Sequence, residues 1–219
     1  MIINSKIRIN SDLGEGTGVE KDIMPFLNSC SIACGGHTGD KSSMTDTILI
    51  AKKYDVNIGA HPSYPDKENF GRKNISISNA DLSNSLMSQI DDLERIARSL
   101  ETSLNHIKLH GALYNFSAND LETASIIIEL MKSKYSDKIL YVPYGSLISG
   151  LAIENNIKIY YEVFLDRNYN NDLSLVSREN NNSMILDYQK MLKRLENVIN
   201  DNKIQTIGGD YKEISADTF

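Results

Sequence analysis

HIKLHGALYN, residues 106–115, decides how the chain folds. It starts as an apolar strand and ends on a lysine, a histidine and a glycine. Lys108 and His110 lie two apart, so both side chains project to the same side of an extended chain. A cation buried inside a sheet needs an anion beside it. Two sources are open for Lys108: a structural carboxylate, with Asp12 the candidate, or the phosphate or carboxylate of a ligand.

Five other stretches also read as strands: KIRINSD (6–12), SCSIACG (29–35), VNIGAHP (56–62), KILYVPY (138–144) and IKIYYEVF (157–164). Amphipathic stretches separate them. The clearest is 79–100, where Leu82, Leu86, Ile90, Leu93, Ala97 and Leu100 recur at spacings of three and four. Ser78 and Asp81 supply its start signal. Further helices are predicted from Asp40 to Tyr54, from Asn119 to Tyr135 with Asn119 and Glu122 at its start, over 146–155, and over 184–201. Strand alternating with helix predicts parallel strands joined by right-handed crossovers. The layout is then an open doubly wound sheet or a closed barrel. Glycine-rich and polar residues gather after the strands, in DLGEGTG, GGHTGD, HPSYPDKENFGRKN, HGALYN and DRNYNNDLSLVSRENNN, whereas the loops before strands are short. A site built from many strand ends favours the barrel; an open sheet would concentrate it at one switch point. With no repeat or linker visible, residues 1–219 read as one α/β domain.

Composition narrows the function. A net charge of −6 without a Lys/Arg cluster argues against nucleic acid as a partner. No apolar run reaches the roughly 18 residues that a bilayer crossing needs. MIINSKIRIN lacks an apolar core and cleavage site, and Cys30 and Cys34 read as reduced thiols, so a cytoplasmic protein is expected. Neither cysteine has a base beside it in sequence, and no second pair completes a zinc site.

Asp12, His37, His61 and His110 fall at or just past the ends of the first four strands. A single strand histidine is most simply a satisfied core residue, but three with an aspartate at one barrel mouth point to chemistry. Imidazole suits proton transfer near neutral pH and also metal ligation, and Asp12 with His61 and His110 is a plausible hydrolytic metal set. DLGEGTG adds Glu15 and three glycines, which either turn the chain tightly or let backbone N–H groups approach an anion. Arg167 either grips a carboxylate or pairs with Asp166, and Arg72 is at its plainest a solvated loop residue.

Taken in order, INSDLGEGTG, SIACGGHTGD, IGAHPSYPDKENFGR, KLHGALYN and EVFLDRNY resemble the motifs of the LamB/YcsF family, that of 5-oxoprolinase A subunits. The resemblance implies a deformed seven-stranded parallel β/α barrel like those of glycoside hydrolases and deacetylases. It implies ATP-dependent opening of 5-oxoproline to glutamate, with ATP and magnesium as cofactors and the B and C subunits as partners. Asp12, Glu15, His37, His61, Lys108 and His110 match motif positions and are carried over as catalytic candidates. Asn10, Arg72, Asn115, Asp166 and Arg167 are carried over as substrate-binding candidates. In that reading Asp12 or a histidine deprotonates water or handles the ring nitrogen, and Lys108 and Arg167 balance phosphate or carboxylate charge. A metal-dependent deacetylase or carbohydrate hydrolase, and a non-catalytic remnant that binds the partner subunits, are the alternatives; a bound transition metal is left open. Gly36, Ser11 and Leu109 depart from the family pattern. At the C-terminus, GGD reads as a hairpin turn, and the family's last strand and its histidine are expected to be missing. The exposed edge that results predicts an oligomer or a partner complex.

Overall fold

The computed structural model describes residues 7–219; Lys6, first residue of the first expected strand, lies outside them. The chain runs β1 (Asn10–Leu13), α1 (Glu20–Ile23), a 3₁₀ turn (Met24–Phe26), β2 (Ser29–Ala33), α2 (Lys41–Lys53), β3 (Asn57–His61) and α3 (Asn79–Ser99). It continues through β4 (His106–Lys108), α4 (Gly111–Ser117), α5 (Leu121–Lys134), β5 (Ile139–Pro143), α6 (Leu147–Glu154) and β6 (Ile159–Glu162). It finishes with α7 (Tyr188–Asp201) and the short strands β7 (Lys203–Gln205) and β8 (Tyr211–Glu213). β1 to β6 form one parallel sheet in sequence order, so every neighbouring pair of strands is joined by a crossover and the strand ends share one rim.

Local chemistry explains where the helices begin. Ser78 accepts the Asp81 N–H at 3.1 Å and donates its hydroxyl to the Asp81 carboxylate at 2.7 Å, which starts α3. Asp40 and Ser43 form a reciprocal capping box before α2. α5 is capped by Asp120, which accepts the Thr123 N–H at 2.8 Å, and not by Asn119 as expected. Such caps are each worth about 1 kcal/mol. The apolar stripe of α3 buries Leu82, Leu86, Ile90, Leu93 and Ala97 against the sheet. They join one core with Ile32, Ile58, Ile107 and Leu140 from the strands. A second, smaller core of Val163, Tyr169, Val198, Ile204 and Ile214 lies between the segment after β6, α7 and the β7–β8 hairpin. GGD turns that hairpin as expected, with Lys203 opposite Glu213.

Two expectations are corrected. HGALYN is not a loop: residues Gly111–Ser117 wind into α4 as soon as the chain leaves β4. The gap between β6 and β1 is also not left open. Thr218 bridges Glu162 in parallel fashion, and Val163 N–H donates to Thr218 O at 3.1 Å. On the other side, Phe219 N–H donates to Arg8 O at 2.9 Å and Asn10 N–H donates to Phe219 O at 2.7 Å. The residues are too few to form a strand, but they occupy a strand's place and ring-close the sheet. An exposed edge therefore gives no reason to expect an oligomer.

The glycine at 36, where the family pattern has a bulkier residue, has its own cause. A Cβ there would lie 2.3 Å from Ser63 Oγ and 2.4 Å from Gln89 Oε1. Gln89, from α3, fills that space and clamps Ser63 by accepting its N–H at 3.0 Å and donating to its carbonyl at 2.9 Å.

Deleting residues 217–219 should free both edges and lower the thermal midpoint by about 5–10 °C, since several hydrogen bonds worth about 1 kcal/mol each are lost. Calorimetry with light scattering checks this. An unchanged midpoint would show that the closure contributes nothing.

Candidate functional site

Strand pleating sends Asn10 and Asp12, His106 and Lys108, and Glu162 to one side of the sheet. His61 ends β3, and the loops after β1 and β2 add Glu15 and His37. His106 is a core residue: its Nε2 meets Ser31 Oγ at 3.1 Å and its ring stacks on Tyr141 at 4.1 Å. Burial drives its pKa down to about 3, so it stays neutral. Gly59 on β3 makes this possible, because a Cβ there would sit 2.3 Å from the imidazole.

The Lys108 ammonium, 3% exposed, lies 2.9 Å from Asp12 Oδ1 and 2.6 Å from Glu162 Oε1. Asn10 Oδ1 accepts a weaker bond at 3.4 Å. Burial opposes its charge, yet the two carboxylates prevail and raise its pKa. Asp12 is likewise opposed by burial but held well below the carboxylate range by His61 and Lys108. The structure thus settles the source of the anion for Lys108: it is structural. Glu162 was not singled out in the sequence, where it is one acid in an otherwise apolar strand; its two-residue spacing from Tyr160 gives no chemical hint.

Above this triad sit three imidazoles. His61 Nδ1 donates to Lys108 O at 2.8 Å, while its Nε2 lies 2.9 Å from His110 Nδ1 and 3.3 Å from Asp12 Oδ2. His110 Nε2 donates to Phe70 O at 2.9 Å. His37 stacks flat on His110 at 3.6 Å, and its Nε2 meets Glu15 Oε1 at 3.1 Å. Burial, then His61 and His37, push His110 down to about 2. Burial also lowers His37, against the opposing pull of Glu15. Glu15, His37, His61 and His110 each bring one ligand atom within 4.8 Å of the others, which makes them the metal-competent group among the described residues.

The loop after β3 is bent onto this cluster. Phe70 and Gly71 both take left-handed φ, of 55° and 62°, which aims the Phe70 carbonyl at His110. A bulky residue in that conformation is costly and is retained where the surroundings enforce it. The glycine of HGALYN now has its explanation. Gly111, at φ 54°, lets the Gly71 carbonyl approach, and an added Cβ would stand 2.6 Å from it. Ala112 N–H donates to that same carbonyl at 2.9 Å.

Of the remaining expected residues, Asn115 and the exposed Arg72 line a cavity of about 770 Å³ that opens from the cluster. Arg167 also lines it but is a buried strut, donating to Val176 O at 2.6 Å and Ser183 O at 3.4 Å. Two of its N–H groups thereby fix the segment 168–184, while its charge has no ion-pair partner among the described residues. Asp166 is not among the cavity residues. Arg178, which the sequence reading passed over in its asparagine-rich loop, is exposed on the cavity wall. Neither Arg72 nor Arg178 forms an ion pair among the described residues; desolvation at the rim and the nearness of Arg178 hold Arg72 below the usual guanidinium value. Cys30 and Cys34 are free and buried, and that burial pushes both thiols up to about 12, which keeps them protonated.

The sequence model of the LamB/YcsF family matches residues 7–219. The 5-oxoprolinase A subunit of Acinetobacter baylyi is 38% identical, the match covering 98% of this chain and 86% of that protein. The 5-oxoprolinase A subunit of Pyrococcus horikoshii is 34% identical with the same coverage of both. The crystal structure of the lactam utilization protein from Thermus thermophilus superposes with a TM-score of 0.90 at 29% identity, covering 97% of this chain and 88% of that one.

Replacing Lys108 by Met should cost about 3–5 kcal/mol of stability, because Glu162 is left buried without a counter-charge and Asp12 loses one of its partners. Chemical denaturation measures it; a loss under about 1 kcal/mol would show the triad to be a surface-like pair. Gly111→Ala should cost about 1–3 kcal/mol by the same assay, from left-handed backbone and the clash with Gly71.

Proposed function

The chain belongs to the LamB/YcsF family, and from that premise we propose that it is the A subunit of an ATP-dependent 5-oxoprolinase. It opens the lactam of 5-oxoproline to L-glutamate, with the B and C subunits as partners and ATP, with magnesium, as the second substrate. The observation that carries this reading is the 34–38% identity to A subunits across 98% of the chain. The superposed lactam utilization protein supports the same substrate class.

The chemistry of the site supports it too. A five-membered lactam is stabilised by resonance, so its carbonyl carbon resists water. Transfer of a phosphoryl group from ATP to the amide oxygen makes that oxygen a leaving group. Water then adds to the carbon as its proton passes to a base, the C–N bond breaks as the ring nitrogen takes a proton, and a second water releases inorganic phosphate from the acyl phosphate that remains, leaving glutamate. This needs a proton acceptor beside the carbon and cations for the substrate carboxylate and the phosphoryl oxygens. An imidazole of the cluster, or Asp12, which His61 and Lys108 keep ionised and which is 29% exposed at its side chain, supplies the acceptor. Arg72 and Arg178, without ion pairs among the described residues, supply the cations on the cavity wall. About 770 Å³ is ample for a small lactam and lies within the usual range of ligand sites.

Mixed with its B and C partners, the chain should release glutamate from 5-oxoproline only with ATP, and His110→Asn should lower kcat by about 100-fold or more. Turnover without ATP, or full turnover in that variant, would sink the assignment. Arg178→Ala should raise KM for 5-oxoproline about tenfold or more with a smaller effect on kcat.

A further inference from the structure

His61 and His110 present a conflict that protein atoms alone do not resolve. His61 Nδ1 faces the Lys108 carbonyl at 2.8 Å, and a carbonyl only accepts, so Nδ1 carries the proton and Nε2 a lone pair. His110 Nε2 faces the Phe70 carbonyl at 2.9 Å, so Nδ1 carries the lone pair. These two lone-pair nitrogens point at each other across 2.9 Å. Two carboxylate oxygens join them: Asp12 Oδ2 at 3.3 Å from His61 Nε2, and Glu15 Oε1 at 3.5 Å from His110 Nδ1 and 3.9 Å from His61 Nε2. Four acceptors converge with no donor between them, and such a convergence calls for a metal cation or a shared proton at its centre.

We propose that Asp12 Oδ2, Glu15 Oε1, His61 Nε2 and His110 Nδ1 together bind one divalent transition-metal ion, of the zinc class, at the barrel mouth. Four donors held 2.0–2.2 Å from a tetrahedral ion stand about 3.3–3.6 Å apart, and four of the six separations here span 2.9 to 3.9 Å and bracket that range. Mixed imidazole and carboxylate ligands suit zinc and its neighbours over calcium or magnesium. Both imidazoles already donate their other nitrogen to a backbone carbonyl, the arrangement that fixes the tautomer of metal-bound histidines. Lys108 takes Asp12 Oδ1, leaving Oδ2 for the ion. His37 has a different part. Its ring lies parallel to that of His110 at 3.6 Å and 1°, so one ion does not lie in both ring planes. It instead holds Glu15 Oε1 from the far side at 3.1 Å, and is a positioning residue.

The proposal does not rest on 5-oxoproline as substrate, and its readout is metal content. The full chain, stripped with a chelator and titrated with zinc or cobalt(II), should take up one ion per chain by elemental analysis, with cobalt(II) giving the visible bands of a four-coordinate site. His110→Gln and Asp12→Asn should each weaken binding by at least about 100-fold, and His37→Gln by about tenfold to 100-fold, as for an outer-shell partner. Arg95→Ala, on the exposed face of α3, should bind normally, and thermal melts of each variant report whether folding is intact. Uptake well below one ion per chain at every metal tried would overturn the proposal and leave a shared proton between the imidazoles. So would uptake unchanged in His110→Gln and Asp12→Asn. Failure to take up metal in a protein that still releases glutamate would overturn the site while leaving the A-subunit reading intact. Stoichiometric uptake without turnover would support the site and count against that reading.

Discussion

An ammonium group sealed inside the barrel, reaching from β4 to two carboxylates on the strands that flank the closing seam, is the constraint on which the rest depends. Lys108 comes from β4, Asp12 from β1 and Glu162 from β6. Burying any one of these charges alone would cost several kcal/mol, so the three must arrive together or not at all. Their meeting fixes the distance between strands that are not neighbours in the sheet. It also leaves Asp12 ionised and turned toward His61, so the electrostatics of the core set the state of the rim.

The fold was legible in the sequence because strand and helix periodicities were unambiguous. All six parallel strands and five of the helices lie where runs such as KILYVPY and the leucine stripe of 79–100 place them. The failures share a cause. HGALYN carries no helical stripe, and it turns helical only because Gly111 reaches a left-handed conformation against Gly71, forty residues away. The closure by Asp217–Phe219 is invisible for a similar reason: three residues have no period, and their place depends on two strands at the far end of the chain.

The site was half legible. Asp12, His61 and His110 announce themselves as polar residues at strand ends, where the topology forces convergence. Glu15 and His37 follow from glycine-rich loops on the same rim. Glu162 sits in an apolar strand, and its partner Lys108 lies 54 positions away, so nothing local marks it. Arg167 has a second part that its position does not announce. An arginine after a strand suggests a ligand's carboxylate, and here the guanidinium lines the cavity while also donating to the carbonyls of Val176 and Ser183. Side-chain reach and the backbone's need for donors decide such cases, and neither is written in a motif.

The ring closure has a kinetic consequence. Asn10 donates its side-chain amide to Thr218 Oγ1 and to Phe219 O, 209 residues away, while its amide oxygen faces Lys108. Contacts of that separation carry a large loop-closure entropy, and they form late unless intervening structure has already drawn the ends together. The six strands and their crossovers do this drawing in. Assembly therefore runs outward from the local β–α units, and the residue that ties the seam to the buried ammonium is among the last to settle. A chain in which most helices and strands have formed is still a chain without a finished site.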